Sequence, residues 1–300
     1  MKVLAVVVTH NRAMLLQRCL EHLSAQIGVK PDVLVINNGS TDDTEKMLEA
    51  GGVDFITQSN LGSAGGWHRG IEEAKGRGYD AVWLMDDDGY PDHEALSVLV
   101  DGLEPGVACA SSMVVREDDV DRFVFPFPRL DHAGLPVLFA WPRKYKAVKE
   151  LLAATNGEPY PFAHFFNGAL ITVSAVERVG NVNRDFFIFG DEVDFFFRLR
   201  AAGRVLSVPG ARHYHPDVTS RPYSSAKIYY YVRNTFVLHR RYFDHVFLRN
   251  FGAVVAALSR TGRRNGLMVA ASYVFGRNLP VLLAAMSRGL SGRLGKDFNG

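Results

Sequence analysis

The 300-residue chain contains only two cysteines, Cys19 and Cys109, and neither belongs to a CxxC pair or stands beside a histidine cluster. A disulfide framework or a zinc knuckle is therefore not expected, and a reducing compartment fits this composition. The apolar run that follows Lys2, residues 3–8, is shorter than the apolar core of a signal peptide. We therefore expect a cytoplasmic protein.

The sequence also lacks an apolar run long enough to cross a bilayer. The most apolar stretches, at 251–258, 266–275 and 279–286, are interrupted by arginines before any of them reaches about 20 residues. Charge is balanced overall, with 34 Lys and Arg against 32 Asp and Glu, but residues 221–300 carry 13 Lys and Arg and only 2 Asp. That stretch is therefore +11 and residues 1–220 are −9, so the two parts are expected to present different surfaces.

Short β-branched runs alternate with helical patterns over the first hundred residues. Strands are predicted at 3–8, 32–36, 53–57 and 81–85, and helices at 14–23, 42–48 and 64–75. This order predicts an α/β fold with a parallel sheet, helices on both faces, and ligands at the carboxyl ends of the strands. The first strand–helix turn, 9–12, contains no glycine, which disfavours a nicotinamide-type Rossmann site.

Residues 120–161 are rich in proline and aromatic residues and show no regular pattern. A long irregular loop in a compact domain is unusual unless it binds something, so we interpret it as a lid or acceptor-side insertion that includes Trp141. Regular patterns return as a strand at 168–173, a helix at 191–202, a strand at 205–208, and helices from Ser224 onward.

We expect two regions in the chain. Residues 1–220 would form one α/β domain with two halves, 1–119 and 120–220. Residues 221–300 would form a basic, amphipathic helical region, since their arginines alternate with aromatic and apolar residues.

Three adjacent carboxylates, Asp86, Asp87 and Asp88, follow the apolar strand 81–85. At the end of a buried strand their mutual repulsion and desolvation are costly unless a cation compensates them. Mg²⁺ and Mn²⁺ prefer oxygen ligands and commonly join carboxylates to the phosphates of a substrate. We therefore predict a divalent metal site here, and the alternative is a solvated acidic turn.

An acidic pair, Asp191 and Glu192, opens the helix predicted at 191–202. Either the pair only gains from the helix dipole, or one carboxylate takes a proton from an acceptor hydroxyl. His215 is either a structural histidine or the nitrogen ligand of a mixed histidine and carboxylate site for Mn²⁺. The small residues of 60–66 would let backbone N–H groups approach a phosphate at a helix start, which is a weak signal by itself.

Together these segments resemble glycosyltransferase family 2, whose members are inverting nucleotide-sugar transferases with the GT-A fold, a Rossmann-like nucleotide-binding sheet with helices on both faces. The resemblance spans Val3 to His215 and rests on the segments 8–12, 35–42, 60–62, 86–88, 166–169, 190–194 and 214–215. Within the family, the chain looks most like the galactofuranosyltransferases that initiate galactan. Rhamnosyltransferases of cell-envelope polysaccharides are the next most similar group.

The resemblance implies that residues 1–220 form a catalytic domain, with a nucleotide-sugar-binding half at 1–119 and an acceptor and catalytic half at 120–220. It also implies a role for each matching residue. Asp86 and Asp88 would hold the metal and the donor diphosphate, and His215 would complete the metal site. Asp87 would face the donor sugar or ribose, and Glu192 would be the catalytic base. The nucleotide-sugar donor would also contact Thr9, Arg12, Asn37, Asn38, Asn60, Gly65 and Gly66. Many relatives have Asp at the position of Asn37.

The resemblance also implies the reaction, a transfer that depends on Mn²⁺ or Mg²⁺. Our best prediction is that galactofuranose passes from UDP-galactofuranose to a lipid-linked or polysaccharide acceptor, which would contact Trp141, Asn167, Gly168 and Asp191. The metal would offset the charge that builds on the departing diphosphate while Glu192 deprotonates the acceptor hydroxyl, and the single displacement would invert the anomeric carbon.

Other functions stay open at this point. The donor is alternatively dTDP-rhamnose, or the aspartates serve a metal-dependent nucleotidyltransferase or phosphohydrolase, although no basic phosphate signature lies near the N-terminus. A further alternative is a non-catalytic peripheral membrane protein whose sheet is only a scaffold.

The basic region 221–300 predicts a partner of its own. Apolar stretches such as 279–286 favour an anionic membrane surface over nucleic acid, because an interfacial helix needs an apolar face as well as basic residues. We expect a peripheral protein at the inner face of the cell membrane, where a polyprenyl-diphosphate-linked glycan would present its sugar. The alternative is that these helices pack on the sheet or on a second subunit of a homo-oligomer.

Overall fold

The sheet is built around its first strand. The computed structural model describes residues 1–219 and 221–298. Strand β1 (Val3–Thr9) pairs in parallel with β2 (Asp32–Asn37) and β4 (Ala81–Asp86), and β3 (Asp54–Thr57) pairs in parallel with β2. Every residue of β1 is buried, because side chains pack against both of its faces. This is the reason that its sequence is an unbroken apolar run.

The other half of the sheet is mixed. Its strands are β5 (Tyr90–Pro91), β6 (Val107–Arg116), β9 (Asn167–Thr172) and β10 (Arg204–His215), in the order β3-β2-β1-β4-β9-β6-β10-β5. β9 runs antiparallel to both β4 and β6, whereas β10 is parallel to β6. The parallel sheet predicted from the first hundred residues is therefore confirmed for β1 to β4, and the strands beyond them add both parallel and antiparallel pairs. A strand buried on both faces has the same apolar pattern in either pairing.

The segment 120–161 is not the structureless insertion that its composition suggested. It contains β7 (Arg122–Pro128), β8 (Lys144–Ala147) and helix α5 (Val148–Thr155). Pro126 of β7 is tolerated because the register with β8 is interrupted between Arg122 and Phe127, and Pro128 is the last residue of the strand. The connection 129–143, which carries Trp141, is the irregular part.

Helices cover both faces of the sheet. They are α1 (Ala13–Ser24), α2 (Thr44–Ala50), α3 (Gly62–Gly76), α4 (Ala95–Asp101), α6 (Val173–Val179) and α7 (Asp191–Leu199). Along β1, Leu4, Val6 and Val8 join the core beneath α3, and the intervening residues join the core beneath α1. The core therefore has two layers, one on each side of the sheet, as the α/β prediction requires.

The C-terminal region is helical, as predicted. It consists of α8 (Ser225–Tyr242), α9 (Val246–Asn265), α10 (Leu267–Phe275) and α11 (Leu279–Ser291). Among the described residues, no individual helix has the length and apolar composition that a membrane crossing needs, and α10 and α11, bent by 64°, meet that criterion only as a pair. The boundary expected between residues 220 and 221 falls at Ser220, which lies outside the described residues.

Candidate active site at the carboxyl edge of the sheet

The aspartate triplet lies where β4 ends, beside the end of β1. Thr9 Oγ1 donates a hydrogen bond of 2.7 Å to Asp87 Oδ2. Arg12 Nη1 donates to Asp87 Oδ1 and to Asp88 Oδ2, both over 2.9 Å. Parallel pairing of β1 with β4 explains this meeting, since it carries both strand ends to one edge of the sheet. Two of the predicted donor residues are thus connected directly to the predicted metal motif.

The three aspartates differ in the direction in which the protein shifts their pKa values. Burial, together with the charges of Asp88 and Asp87, raises the pKa of Asp86 well above its usual value, and burial also raises the pKa of Asp87. Burial alone would raise the pKa of Asp88, but the hydrogen bond and charge of His215 and the charge of Arg12 lower it below its usual value. Asp88 is therefore the carboxylate most firmly held as an anion.

His215 ends β10 and faces Asp88. Its Nε2 lies 3.0 Å from Asp88 Oδ1, and its ring is 2% exposed. Nδ1 lies 2.7 Å from the carbonyl oxygen of Pro216, so Nδ1 carries a hydrogen and Nε2 is the nitrogen that faces the carboxylate. A carboxylate oxygen and an imidazole nitrogen at this separation are two ligand atoms that suit Mn²⁺.

Asp88 and His215 are the two predicted metal ligands that the structure places in contact. Within the part of the chain that the structure describes, no group of three His, Cys, Asp or Glu side chains is arranged to hold a metal ion. Cations of this kind commonly keep waters and bind through one or two carboxylates plus substrate phosphates. The residues present therefore fit a divalent ion that is shared with a diphosphate, and the metal role of Asp86 stays a prediction.

The position of His215 also corrects the predicted strand at 205–208. β10 continues well beyond Val208, and its register with β6 shifts between Ser207 and Arg212. The segment around Pro209 is thus accommodated as an irregularity inside a strand and does not end it. His215 is placed opposite Arg116 by strand pairing.

The acidic pair opens α7, and its two members have different surroundings. Asp191 is 2% exposed, and its Oδ2 has no hydrogen-bond partner among the described residues. Burial and the charge of Glu192 raise the pKa of Asp191 to about 7. Glu192 is only partly buried, and its Oε1 lies 3.6 Å from Nδ1 of His164. Glu192 is therefore the accessible carboxylate of the pair.

The loop before α7 is held by helix α8. Asn234 Nδ2 lies 3.0, 2.8 and 2.7 Å from the carbonyl oxygens of Phe186, Ile188 and Phe189, and the wholly buried Arg233 donates to Phe186 over 3.2 Å. The loop needs this support because Phe189 has φ of 61°, a left-handed conformation that is strained by about 1–3 kcal/mol in a residue other than glycine. The C-terminal region thus helps to place the acidic pair.

Asp194, in the same turn of α7, has a structural position. Its carboxylate accepts hydrogen bonds from Arg198 over 2.9 Å, Arg241 over 3.1 Å and Tyr242 over 2.8 Å. Arg241 and Tyr242 belong to the last turn of α8, so this buried carboxylate fixes α7 to α8.

The three predicted donor asparagines are engaged in bonds within the protein. Asn37 is wholly buried and bonds within its own turn. Asn38 donates to the carbonyl of Gly62 over 2.9 Å and accepts from the N–H of Leu61 over 3.2 Å, while Asn60 accepts from the N–H of Gly62 over 3.0 Å. These bonds join the turn after β2 to the start of α3. Direct contact of the asparagines with a nucleotide stays a prediction.

The predicted donor glycines, Gly65 and Gly66, are buried in the first turns of α3. A Cβ at Gly66 would approach Val8 Cγ1 to 2.5 Å, and one at Gly65 would approach Leu61 Cβ to 2.4 Å. Both glycines therefore let α3 lie close to β1 and to its own first residues. A donor contact of these two residues stays a prediction as well.

The predicted acceptor residues are divided by the fold. Asn167 begins β9 opposite Met85, next to the aspartates, and its buried Oδ1 lacks a hydrogen-bond partner within residues 1–219 and 221–298. Gly168 has φ of 90°, and a Cβ there would lie 2.9 Å from Ser112 Oγ. Trp141 is 90% exposed on the connection 129–143. Asn167 and Gly168 thus adjoin the site, and the acceptor role of Trp141 stays a prediction.

Two residues at the site were not predicted from the sequence. Arg221 Nη1 donates to Asp88 Oδ2 over 2.8 Å, although its position assigned it to the basic C-terminal region. His164, near Glu192, lies among aromatic rings of β7 and the segment before β9. The one available signal for Arg221 was its closeness in sequence to His215, and His164 carried no signal.

Residues 4–166 match the family model described as Glycosyl transferase family 2. The chain belongs to this family. It is 37% identical over 209 residues to galactofuranosyltransferase GlfT1 of Mycobacterium tuberculosis, covering 67% of this chain and 65% of that protein. It is 35% identical over 208 residues to GlfT1 of Mycolicibacterium smegmatis, covering 67% and 66%. The match thus spans slightly less than two thirds of the length of these relatives.

Solved structures show the same fold. GalNAc-T7 with UDP, GalNAc and Mn²⁺ superposes with a TM-score of 0.60 at 16% identity, over 82% of this chain and 49% of that one. The mannosyltransferase PcManGT from Pyrobaculum calidifontis, in complex with GDP-Man and Mn²⁺, has a TM-score of 0.56 at 18% identity, over 97% and 79%. The predicted GT-A fold is confirmed, and the family match identifies the chain as a glycosyltransferase.

Proposed function

We propose that this glycosyltransferase transfers galactofuranose from UDP-galactofuranose, with inversion, to a lipid-linked or polysaccharide acceptor. Asp88 and His215 lie together at the same edge of the sheet as Asp86 and Asp87, and this observation carries the proposal. The acidic pair that opens α7 supplies the second half of the reaction. The names of the two GlfT1 relatives favour galactofuranose as the sugar.

The donor half of the site consists of Thr9, Arg12 and the aspartates. The bonds from Thr9 and Arg12 fix the Asp87 carboxylate, so that it can face the ribose or sugar of the donor. Arg12 is exposed and can also meet a phosphate oxygen. Asp88 and His215 would hold Mn²⁺ or Mg²⁺, which supplies charge neutralisation for the diphosphate leaving group when it is bound.

The acceptor half centres on Glu192. Its accessible carboxylate takes the proton of the acceptor hydroxyl, whose oxygen forms a bond to the anomeric carbon as the bond to the diphosphate breaks. Attack opposite the leaving group inverts that carbon in one displacement. Asp191, buried beneath Glu192 with a pKa of about 7, would contact the acceptor and keep the local negative charge low.

The proposed acceptor is a polyprenyl-diphosphate-linked glycan at the inner face of the cell membrane. The C-terminal region from α9 to α11 supports this choice, because it combines positive charge with exposed apolar residues. A protein peripheral to that membrane would meet the sugar end of such an acceptor directly.

The test is donor turnover by the purified protein. UDP-galactofuranose, other UDP-sugars and dTDP-rhamnose are incubated with Mn²⁺ or with EDTA, and release of the nucleotide is measured. We expect Mn²⁺-dependent turnover that is fastest with UDP-galactofuranose. Faster turnover of dTDP-rhamnose would assign the sugar to the rhamnosyltransferase alternative, and turnover that is equal in EDTA would contradict the metal assignment.

Substitution of Asp88 sharpens the same test. Asp88→Ala removes the carboxylate that faces His215, so we expect transfer to be abolished and UDP binding to lose its dependence on Mn²⁺. Asp43→Ala is the matched control, because Asp43 is an exposed carboxylate on the outer surface near α2. Calorimetric titration with UDP, with and without Mn²⁺, gives a readout that does not require turnover.

A further inference from the structure

The outer side of the C-terminal helices is apolar. Within the described residues, large hydrophobic side chains that are exposed number 19, and 11 of them lie in α9, α10 and α11: Phe247, Leu248, Phe251, Val255, Leu267, Met268, Val269, Val274, Phe275, Leu283 and Leu290. A concentration of exposed apolar side chains in neighbouring helices usually marks an interaction site.

Helix α10 is the most exposed part of this surface. Its nine residues include no charged side chain, and Leu267, Met268 and Phe275 are 82%, 86% and 89% exposed. Tyr273 is its buried residue and holds the helix to α8 through a hydrogen bond with Ser225. A helix that is apolar on nearly all sides is stabilised when a partner removes its side chains from water, and the other C-terminal helices do not bury them.

The positive charge around α10 indicates which kind of partner covers this helix. Residues 244–297 contain eight Lys and Arg and two Asp, which pair with Arg249 and Arg288, so positive charge remains in excess. Arg263 and Arg277, both exposed, lie just before and just after α10. An apolar helix between positive residues complements an anionic lipid surface, which offers acyl chains below and negative headgroups around it.

A second copy of the chain fits this surface poorly. Two such faces would bring positive charge against positive charge, which opposes association. Nucleic acid would pair with the arginines and leave the exposed side chains of α10 in water. The bilayer is the partner that satisfies both the charge and the apolar area.

We propose that α10 inserts into the interface of an anionic bilayer and lies in its surface without spanning it. The exposed residues Phe247, Phe251 and Val255, spaced four apart on one side of α9, extend the contact. This inference rests on the proposed function, because it names the surface on which a lipid-linked acceptor is met. Helix α8 faces the catalytic loop, so insertion through α10 leaves the active site intact.

Vesicle binding tests the proposal with full-length protein. The protein is sedimented with vesicles of phosphatidylglycerol and phosphatidylcholine, and with phosphatidylcholine alone. We expect binding to the anionic vesicles, and a loss of about tenfold or more in the double variant Met268→Glu/Phe275→Glu. Met14→Glu is the matched control, because Met14 is 87% exposed on α1 in the catalytic domain. Wild-type binding by the double variant would overturn the proposal.

Insertion is measured separately by fluorescence. Cys19 and Cys109 are wholly buried, so a cysteine introduced as Met268→Cys can be labelled selectively with an environment-sensitive fluorophore. We expect a blue shift at position 268 on anionic vesicles and no shift for a label at Met14→Cys. An unshifted spectrum at position 268 would show that α10 does not enter the bilayer.

Two further measurements separate the possible failures. The double variant should keep Mn²⁺-dependent hydrolysis of UDP-galactofuranose, so loss of vesicle binding with retained hydrolysis supports the inserting surface. Wild-type protein that binds vesicles through α10 but turns over no nucleotide-sugar would refute the proposed function and leave the surface intact. If the double variant changes a dimer to a monomer in size-exclusion chromatography while vesicle binding persists, the face joins two copies and the proposal is wrong.

Discussion

Glu192 and Asp191 are neighbours in sequence, but one carboxylate is accessible and the other is buried. We expect Glu192→Gln to leave UDP binding nearly unchanged while kcat falls by about 10²- to 10⁴-fold, the usual scale for loss of a positioned general base. Transfer kinetics and UDP titration check this split. If Asp191→Asn is the more damaging substitution, the roles of the two residues must be exchanged.

The raised pKa of Asp191 has a consequence for stability. Its carboxyl binds a proton up to about pH 7 in the folded protein, but only up to its ordinary value of 3.8 in the unfolded chain. Between these values the folded state holds more protons, so this group lowers stability as pH rises. The asparagine of the variant Asp191→Asn does not titrate, so the Tm of the variant minus the Tm of wild type should increase from about pH 5 to about pH 8.

The control for this experiment is Asp43→Asn, since the Asp43 side chain is 82% exposed. Its Tm difference from wild type should not change over the same pH range. A Tm difference for Asp191→Asn that is equally constant would contradict the raised pKa.

At the scale of single elements, α8 supports the catalytic loop. Asn234→Ala leaves the carbonyls of Ile188 and Phe189 without their side-chain donor, while Phe186 keeps its bond from Arg233, and we expect stability to fall by about 1–3 kcal/mol. Because the loop leads directly into α7, where Glu192 lies, kcat should fall more than UDP binding does. Thermal unfolding, transfer kinetics and UDP titration measure the three quantities.

Asn250→Ala is the matched control for α8. Asn250 is also a buried asparagine, and its Oδ1 lies 2.8 Å from Nδ1 of His239, within the C-terminal helices. Its loss should reduce stability while kcat stays close to wild type. Equal losses of kcat in both variants would mean that Asn234 acts only through general stability.

The sequence predicted those elements whose signal is local. β1 to β4 and the helices between them were predicted because apolar periodicity marks each element by itself. β7 and the end of β10 were missed because Pro126 and Pro209 lie in them, and irregular register tolerates proline where a regular strand does not. The pairing of β9 was missed because nothing local distinguishes parallel from antiparallel strands.

The sequence also singled out part of the candidate site but not the residues that support it. Asp88 and His215 were singled out by residue type, and the fold brings them to 3.0 Å. The contacts of Arg221 with Asp88 and of Asn234 with the loop join residues far apart in sequence, and no local pattern reports such contacts. Motif reasoning thus finds the residues that do chemistry more readily than those that hold them in place.

At the scale of the whole molecule, several contacts cross the boundary expected at residue 220. A chain that ends after Thr219 loses Arg221, the support of Asn234 and the buried ion pair of Arg233 with Asp297. We expect this truncated protein to unfold at a markedly lower temperature and to lose Mn²⁺-dependent UDP binding, as measured by circular dichroism and calorimetry. A truncated protein that keeps this binding would show that residues 1–219 are an independent domain.

The buried pair of Arg233 and Asp297 sets an order of events during synthesis. Translation proceeds at about 5–20 residues per second, so roughly 5–20 s separate the appearance of Glu192 from that of Asp297. The sheet and its aspartates are complete before α8 is anchored by Asp297, which Arg233 contacts over 2.6 Å. In a nascent chain the loop before α7, and with it the position of Glu192, is therefore fixed last, after the sheet edge that carries the aspartates is already formed.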